Sequence, residues 1–348
     1  MMTARKKNPK KTTKKLLRKH NLSTHILDKT RQVNNPTTSS ANCHPNNKNS
    51  NSKTCYSTNA LVALKNAFNV QHPHKQILSD NADDIHQALY RGLHDKCGKE
   101  DCWLSALNKD DDIHYDSIFR PRGGREKKDP HTWLSNFEIN KFMKQLEETY
   151  PHFSFLPATT IDFDSRSKFR PNQCVSDSHC NISLQDLSSQ NPPKTKIATI
   201  INTDKETNKG EHWFSLFIDL DEHFIFYFDS VPPKKRMPKQ IKKFIHRLQQ
   251  QATLLHPTPV TFKIYTNLGN EHQLSTTECG LYSLFFVTTF LTRNSPFHRE
   301  RQVLTLDEIL QLFRVFKVRD CAMKMMRSYY FNPPTHRASG IDRQNILD

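Results

Sequence analysis

Apolar residues are scarce in this 348-residue chain. They make up 35% of it, and the shortage is concentrated in residues 1–60. No apolar run approaches the ~20 residues that a membrane-spanning helix needs. The N-terminus has no apolar segment of the kind that precedes secretory cleavage, so neither a membrane span nor export is expected. Export being unexpected, the eight cysteines are not expected to form a disulfide framework. Acidic residues are missing from residues 1–20, and no internal repeat is visible. The length is nevertheless enough to bury a large core and to hold two domains.

Positive charge is abundant. The formal net charge is +16, and residues 1–20 carry Arg5, Lys6, Lys7, Lys10, Lys11, Lys14, Lys15, Arg18 and Lys19. Such a balance attracts nucleic acid, anionic surfaces or acidic partners and says nothing about fold. The block reads equally as a nucleic-acid contact, a localisation signal or a solvated tail. Residues 34–60 are rich in Asn, Ser and Thr and read as linker, with order expected from about Ala60. The expected division is a basic, polar, disordered tail over 1–60, a helical N-terminal domain and linker over 61–125, a catalytic domain over 126–335, and a C-terminal tail over 336–348.

Apolar spacing predicts helices over Leu61–Phe68 and Asp80–Leu93, the second capped by Ser79 or Asp80. Cys97 and Cys102 follow. With His94, or with Cys174, His179 and Cys180, they could contribute to a zinc site, but the spacings are loose and no second compact pair completes a set. No metal and no cofactor are expected, and packing is the simpler role. Residues 119–130 form a basic Gly/Pro-punctuated connector, in which Gly123-Gly124-Arg125 is either flexible linker or a self-cleavage sequence. Ser135 and Glu138 fit a capping box for a helix ending before Pro151. After Pro192-Pro193 the signal turns to strands. Lys196–Asn202, Trp213–Leu220 and Phe224–Phe228 are nearly continuous apolar runs, as expected of strands buried on both faces. Asp221-Glu222 predicts a turn joining the last two as an antiparallel pair. A helix from Pro238 to about Gln251, a strand over Val260–Tyr265, a buried helix from Cys279, and an amphipathic helix from a Thr305/Glu308 capping box through Phe316 complete the reading.

The polar residues fall at element ends. His212 begins one strand of the hairpin and Asp229 ends its partner, so the two can meet. A carboxylate there fixes the imidazole tautomer and supports its cationic form. Cys279 opens the buried helix, where unpaired N–H groups and the helix dipole favour a thiolate. Gln273, six residues earlier, offers a side-chain N–H to an oxyanion, with the Cys279 backbone N–H as second donor. Taken singly, Cys279 could be a buried structural cysteine, His212 an exposed strand start, Asp229 a turn former and Gln273 a loop residue. The order His, Asp, Gln, Cys, each at an element end, points to thiol-mediated acyl transfer.

Gly-Glu-His212-Trp213, Phe-Asp229-Ser and Gln273-x5-Cys279-Gly280 resemble the signature of the SUMO-specific protease and adenain superfamily of cysteine peptidases. Residues 133–139 resemble the Trp-Leu-Asn-Asp motif that opens that catalytic domain. Asn202-Thr203-Asp204, Thr277-Glu278-Cys279-Gly280 and the Cys97/Cys102 pair look like the capsid polyprotein proteases of large eukaryotic DNA viruses, the African swine fever virus protease group among them. The likeness covers roughly residues 80–330. It implies an α+β fold with a papain-like core, a central mixed sheet flanked by helices, and a small helical N-terminal domain. It implies His212, Asp229 and Cys279 as the triad, Gln273 as oxyanion donor, and Trp133 and Trp213 as walls of a narrow tunnel admitting Gly before the cut, with Asn136 beside it. The implied substrate is a viral structural polyprotein, cut at Gly-Gly-X or Ala-Gly-X by a monomeric enzyme at the assembly site in the host cytoplasm and in the virion. Ser135-Asn136 departs from the cellular Asn-Asp pair, which argues against a contact to ubiquitin-like proteins through that acid. Two other readings stay open: a protease removing SUMO or ubiquitin from host conjugates, and an inactive basic nucleic-acid-binding protein with a peptidase fold.

Overall fold

The computed structural model describes residues 43–47, 54–109, 113–123, 132–232, 236–294 and 303–333. The basic block at 1–20, Gly124 and the C-terminal tail lie outside them.

An N-terminal helical unit comes first, built on α1 (Thr58–Gln71) and α2 (Ala82–Leu93). Two single turns follow, α3 (Trp103–Ala106) and α4 (Tyr115–Ile118). Asn81 caps α2 through its side-chain oxygen, one residue later than expected, because its Oδ1 reaches the N–H groups of both Asp83 and Asp84. Leu61, Leu64, Phe68, Ile85, Leu89 and Leu93 close a core around Trp103 and Phe119.

Two expectations are corrected, the first in this unit and the second in both. Order begins before Ala60: Cys55 and Tyr56 are buried in this core, and the Cys55 N–H and the Tyr56 hydroxyl bond to Glu100. The polar composition of 34–60 hid these residues and the buried His44. The cysteines are also paired: Cys43–Cys55, Cys97–Cys102 and Cys174–Cys180 are disulfides. His44 N–H bonds to the Ile118 carbonyl, and Glu100 holds Cys55, which brings Cys43 to Cys55. The four cysteines weighed for zinc are consumed in two separate pairs, and among the described residues no cluster of three or more potential ligands exists.

The catalytic unit opens with α5 (Asn136–Thr149), which begins at the expected Ser135/Glu138 capping box. A five-stranded sheet follows in the order β1 (Phe153–Thr160), β2 (Lys196–Asn202), β3 (Trp213–Asp219), β4 (Phe224–Phe228), β5 (Lys263–Thr266). The outer pairs are parallel and the inner pairs antiparallel. The short helices α6 (Asp177–Cys180) and α7 (Leu184–Ser188) lie between β1 and β2. The remaining helices are α8 (Lys239–Ala252), α9 (Cys279–Thr292), α10 (Leu306–Arg314) and α11 (Asp320–Tyr330).

Strand alternation divides the core. Trp213 and Phe217 of β3 and Phe224, Phe226 and Phe228 of β4 face the side carrying α5, α9, α10 and α11. Phe214, Leu216, Ile218, Ile225 and Tyr227 face the side carrying α8. This is the α+β architecture expected. Helix α9 has no charged residue and is buried on nearly all sides, as a helix that is apolar all round must be. Each fully buried Phe along it contributes about 1.5–3 kcal/mol, so α9 is firmly held beside the site. The amphipathic helix from Thr305 stops at Arg314, and a further helix, α11, docks behind it.

The two units meet along a polar seam. Gln145 on α5 donates to the carbonyls of Asp116 and Phe119, both at 2.7 Å. His44 contacts Glu148, and Lys141 pairs with Asp116 at 2.9 Å. The Gly123 N–H bonds to the Asn332 carbonyl, and an added Cβ at Gly123 would lie 2.4 Å from the Phe331 Cβ.

Candidate active site

The hairpin brings His212 and Asp229 together. Asp219 shapes its turn by accepting the N–H groups of Asp221 and Glu222. Pairing of Ser215 with Phe228 then sets the start of β3 beside the end of β4. His212 Nε2 lies 2.6 Å from Asp229 Oδ1. Cys279, at the first turn of α9 and almost fully buried, hydrogen-bonds the His212 ring. Burial alone would lower the His212 pKa. The hydrogen bonds to Asp229 and Cys279 and the charges of both overcome that and raise it to about 10. The imidazole therefore holds its proton at neutral pH, beside a sulfur at a helix N-terminus.

Asp229 is itself held at four points. Its Oδ1 also accepts the Val231 N–H, and its Oδ2 accepts the Tyr227 hydroxyl at 3.0 Å. Burial and the neighbouring carboxylate push the Tyr227 pKa far up, so its hydroxyl stays a donor. The buried Asn267 grips the Asp229 backbone from both sides: its Oδ1 accepts the N–H at 3.0 Å, and its Nδ2 donates to the carbonyl at 2.7 Å.

Gln273 sits on the loop before α9, buried and fixed. Its Oε1 accepts the Ser230 hydroxyl at 2.7 Å, and its Nε2 donates to the Ser275 carbonyl at 2.8 Å. An amide nitrogen carries two protons, so one remains for a ligand. The Ser230 carbonyl accepts the N–H groups of His272 and Gln273, which ties the loop to the residue after Asp229. Asp320, on α11, accepts the N–H groups of Leu274 and Ser275 and the Tyr282 hydroxyl. His272 takes the Val318 N–H on Nδ1, and burial lowers its pKa to about 4, so it is a neutral strut.

Of the expected wall residues, Trp213 is buried and donates its indole N–H to the Leu134 carbonyl at 2.9 Å. Leu134 packs on Gly280, where an added Cβ would lie 3.0 Å from the Leu134 Cβ. The 133–135 segment is thereby fastened to both β3 and α9. Trp133 is 41% exposed and Asn136 is exposed at the first turn of α5. Sequence reasoning missed Asn267, Ser230, Tyr227 and Asp320. A Ser after the Asp gave a faint signal for Ser230; Asn267 and Asp320 act across 38 and 45–46 residues and gave none.

Residues 139–325, which include His212, Trp213, Asp229, Asn267, Gln273 and Cys279, match the model for the Ulp1 protease family, C-terminal catalytic domain. The chain is 26% identical over 283 residues to a thiol protease of Acanthamoeba polyphaga mimivirus, covering 73% of this chain and 85% of that one. It is 31% identical over 186 residues to a cysteine protease of African swine fever virus (isolate Tick/Malawi/Lil 20-1/1983), covering 52% of this chain and 66% of the relative. A crystal structure of the African swine fever virus protease overlays with a TM-score of 0.58 at 19% identity, over 84% of this chain and 96% of that one, a likeness of fold. The expectation from the motifs is met: the chain belongs to the Ulp1 protease family and is a cysteine protease, similar to the viral thiol and cysteine proteases.

Proposed function

We propose that this cysteine protease cuts viral structural polyproteins after Gly, at Gly-Gly-X or Ala-Gly-X sequences, during particle maturation. The observation that carries the reading is the contact chain Asp229–His212–Cys279 at the N-terminus of α9. In this reading Cys279 Sγ is the nucleophile that attacks the scissile carbonyl, with His212 beside it. Gln273 Nε2 and the Cys279 backbone N–H receive the oxyanion. The His212 imidazolium then protonates the leaving amine, and Asp229 holds the ring in place. Water, deprotonated by His212, releases the acyl group and restores the pair. In this reading Trp133 and Trp213 narrow the approach and favour Gly before the cut, with Asn136 beside them.

No metal or cofactor enters these steps. The enzyme would work as a monomer at the assembly site in the host cytoplasm and in the virion, with the basic 1–20 block holding it to nucleic acid or to the particle.

The Cys279→Ala variant is expected to lose all cleavage of a Gly-Gly-X peptide while its melting curve is retained. Turnover by that variant at the wild-type rate would sink the assignment. Rates on capsid polyprotein and on SUMO and ubiquitin precursors separate the substrate classes: faster cleavage of the precursors would favour removal of host modifiers instead.

A further inference from the structure

From Ser230 to Asn270 the chain contains no Asp or Glu, yet carries Lys234, Lys235, Arg236, Lys239, Lys242, Lys243, Arg247 and Lys263. Helix α8 lies at the centre of this segment. Its apolar residues Ile241, Phe244, Ile245 and Leu248 are buried against the sheet, on the side opposite Cys279. Its outer face presents Lys239, Lys242 and Lys243, all exposed. Among the described residues none of the three is in an ion pair. Arg247, on the inner side, is neutralised by Asp164.

The placement of these charges works against the helix. Lys239 stands in the first turn, where the macrodipole favours acids, and that turn has no acid and no side-chain cap. Lys239 repels Lys242 and Lys243 at the three- and four-residue spacings. Local choices that cost stability with no compensating interaction mark a functional surface.

At the N-terminal end of α8 a cavity of about 640 Å³ opens beside Pro238 and Gln240, and Lys168 and Lys205 continue the positive face across it. The one carboxylate lining it, Asp204, accepts the Gly210 N–H and the Asn208 amide. Thr203, Thr207 and Asn208 line it as well, with the Thr207 hydroxyl donating to Asn208 Oδ1. Lysines beside neutral polar groups suit phosphate and sugar oxygens of a nucleic-acid backbone. A bilayer is a poorer fit, because α8 spends its apolar face on the core and has none left to insert.

We propose that the outer face of α8, with Lys168 and Lys205, is a second binding surface that takes the phosphate backbone of nucleic acid. It lies outside the catalytic groups and does not depend on which protein is cleaved. Its residues are also different ones from those of the basic 1–20 block.

The test uses the full chain and a short labelled DNA duplex, with affinity followed by anisotropy across a salt series. Replacing Lys239→Gln, Lys242→Gln and Lys243→Gln together is expected to lower affinity at least tenfold. The slope of log affinity against log salt should fall by roughly 0.9 for each phosphate that is no longer neutralised. A control triple of equal charge change, Lys75→Gln, Lys96→Gln and Lys99→Gln, should leave the slope unchanged. Peptide cleavage should be unaltered in both; melting should be unaltered in the control and raised in the α8 triple, where like-charge repulsion is relieved. Should the triple not fold, Lys243→Gln alone should lower the slope by about one. Equal slopes for the α8 triple, the control and the wild type overturn the proposal, as does an equal drop in the two triples. Loss of binding to phosphatidylserine vesicles with duplex binding intact would assign the face to membranes and overturn it too.

Discussion

His212 illustrates how a residue's chemistry is set by its neighbours. Its burial opposes a charge, and two hydrogen bonds reverse that, placing its pKa at about 10. The folded value lies above the unfolded one, so the associated stability is fully present below about 6.5 and is lost as pH rises through about 10. Cleavage that needs the imidazolium to protonate the leaving amine should fall over the same alkaline range. Asp229→Asn removes an interaction that raises the value, so the alkaline limb in a pH profile of kcat/KM should move to lower pH. An unmoved limb would mean that another group sets it. Gln273 has a narrower task. Its amide is already oriented by Ser230 and Ser275, so Gln273→Ala should cost about 10²–10³ in kcat with little change in KM. Single-turnover kinetics on a Gly-Gly-X peptide would measure it.

At the scale of elements, the site is a junction of three ends: the start of β3, the end of β4 and the start of α9. Asn267 follows β5 and clamps the end of β4 through Asp229. Removing it leaves a buried N–H and a buried carbonyl unpaired, a cost of about 1–3 kcal/mol for each group that finds no water. Asn267→Ala should therefore lower the urea midpoint and, if Asp229 serves as proposed, also reduce kcat more than it raises KM, because Asp229 drifts. A merely structural role would lower stability and leave the kinetics alone. The elements were legible in the sequence to different degrees. The hairpin was readable because its runs were long and apolar and a polar turn separated them. The strand expected over Val260–Tyr265 forms only over Lys263–Thr266, since pairing with β4 fixes its extent and propensity does not. Helix α11 was not expected. Its pattern is short, and its role depends on Asp320 meeting a loop distant in sequence.

On the scale of the whole molecule, a small helical unit is docked on the catalytic one through polar contacts. Gln145 is central to that seam, buried on α5 with both amide protons on carbonyls of the helical unit. Gln145→Ala should speed hydrogen exchange at the His44 and Gly123 amides, which lie at or next to the seam, while the β3 amides in the sheet centre keep their protection. Uniform exchange changes would show that the units unfold together. The three disulfides, which pair six of the eight cysteines, leave Cys279 and Cys321 as free thiols. They reinforce the helical unit and the loop over 174–180, and Cys279 is not among them.

The sequence by itself determined the nucleophile, the base, the acid and the oxyanion residue as candidates, and with them the family. Each is a chemically distinctive side chain at an element boundary, and the boundaries follow from local pattern. Tertiary structure decided what holds those groups in place. Asn267 and Asp320 are ordinary polar residues in the sequence, and their roles come from contacts across the fold. It also decided which cysteines pair, because that depends on Cα atoms brought within 5.2–6.4 Å. Composition could not show this, since a thiol's fate is set by the distance to the next one.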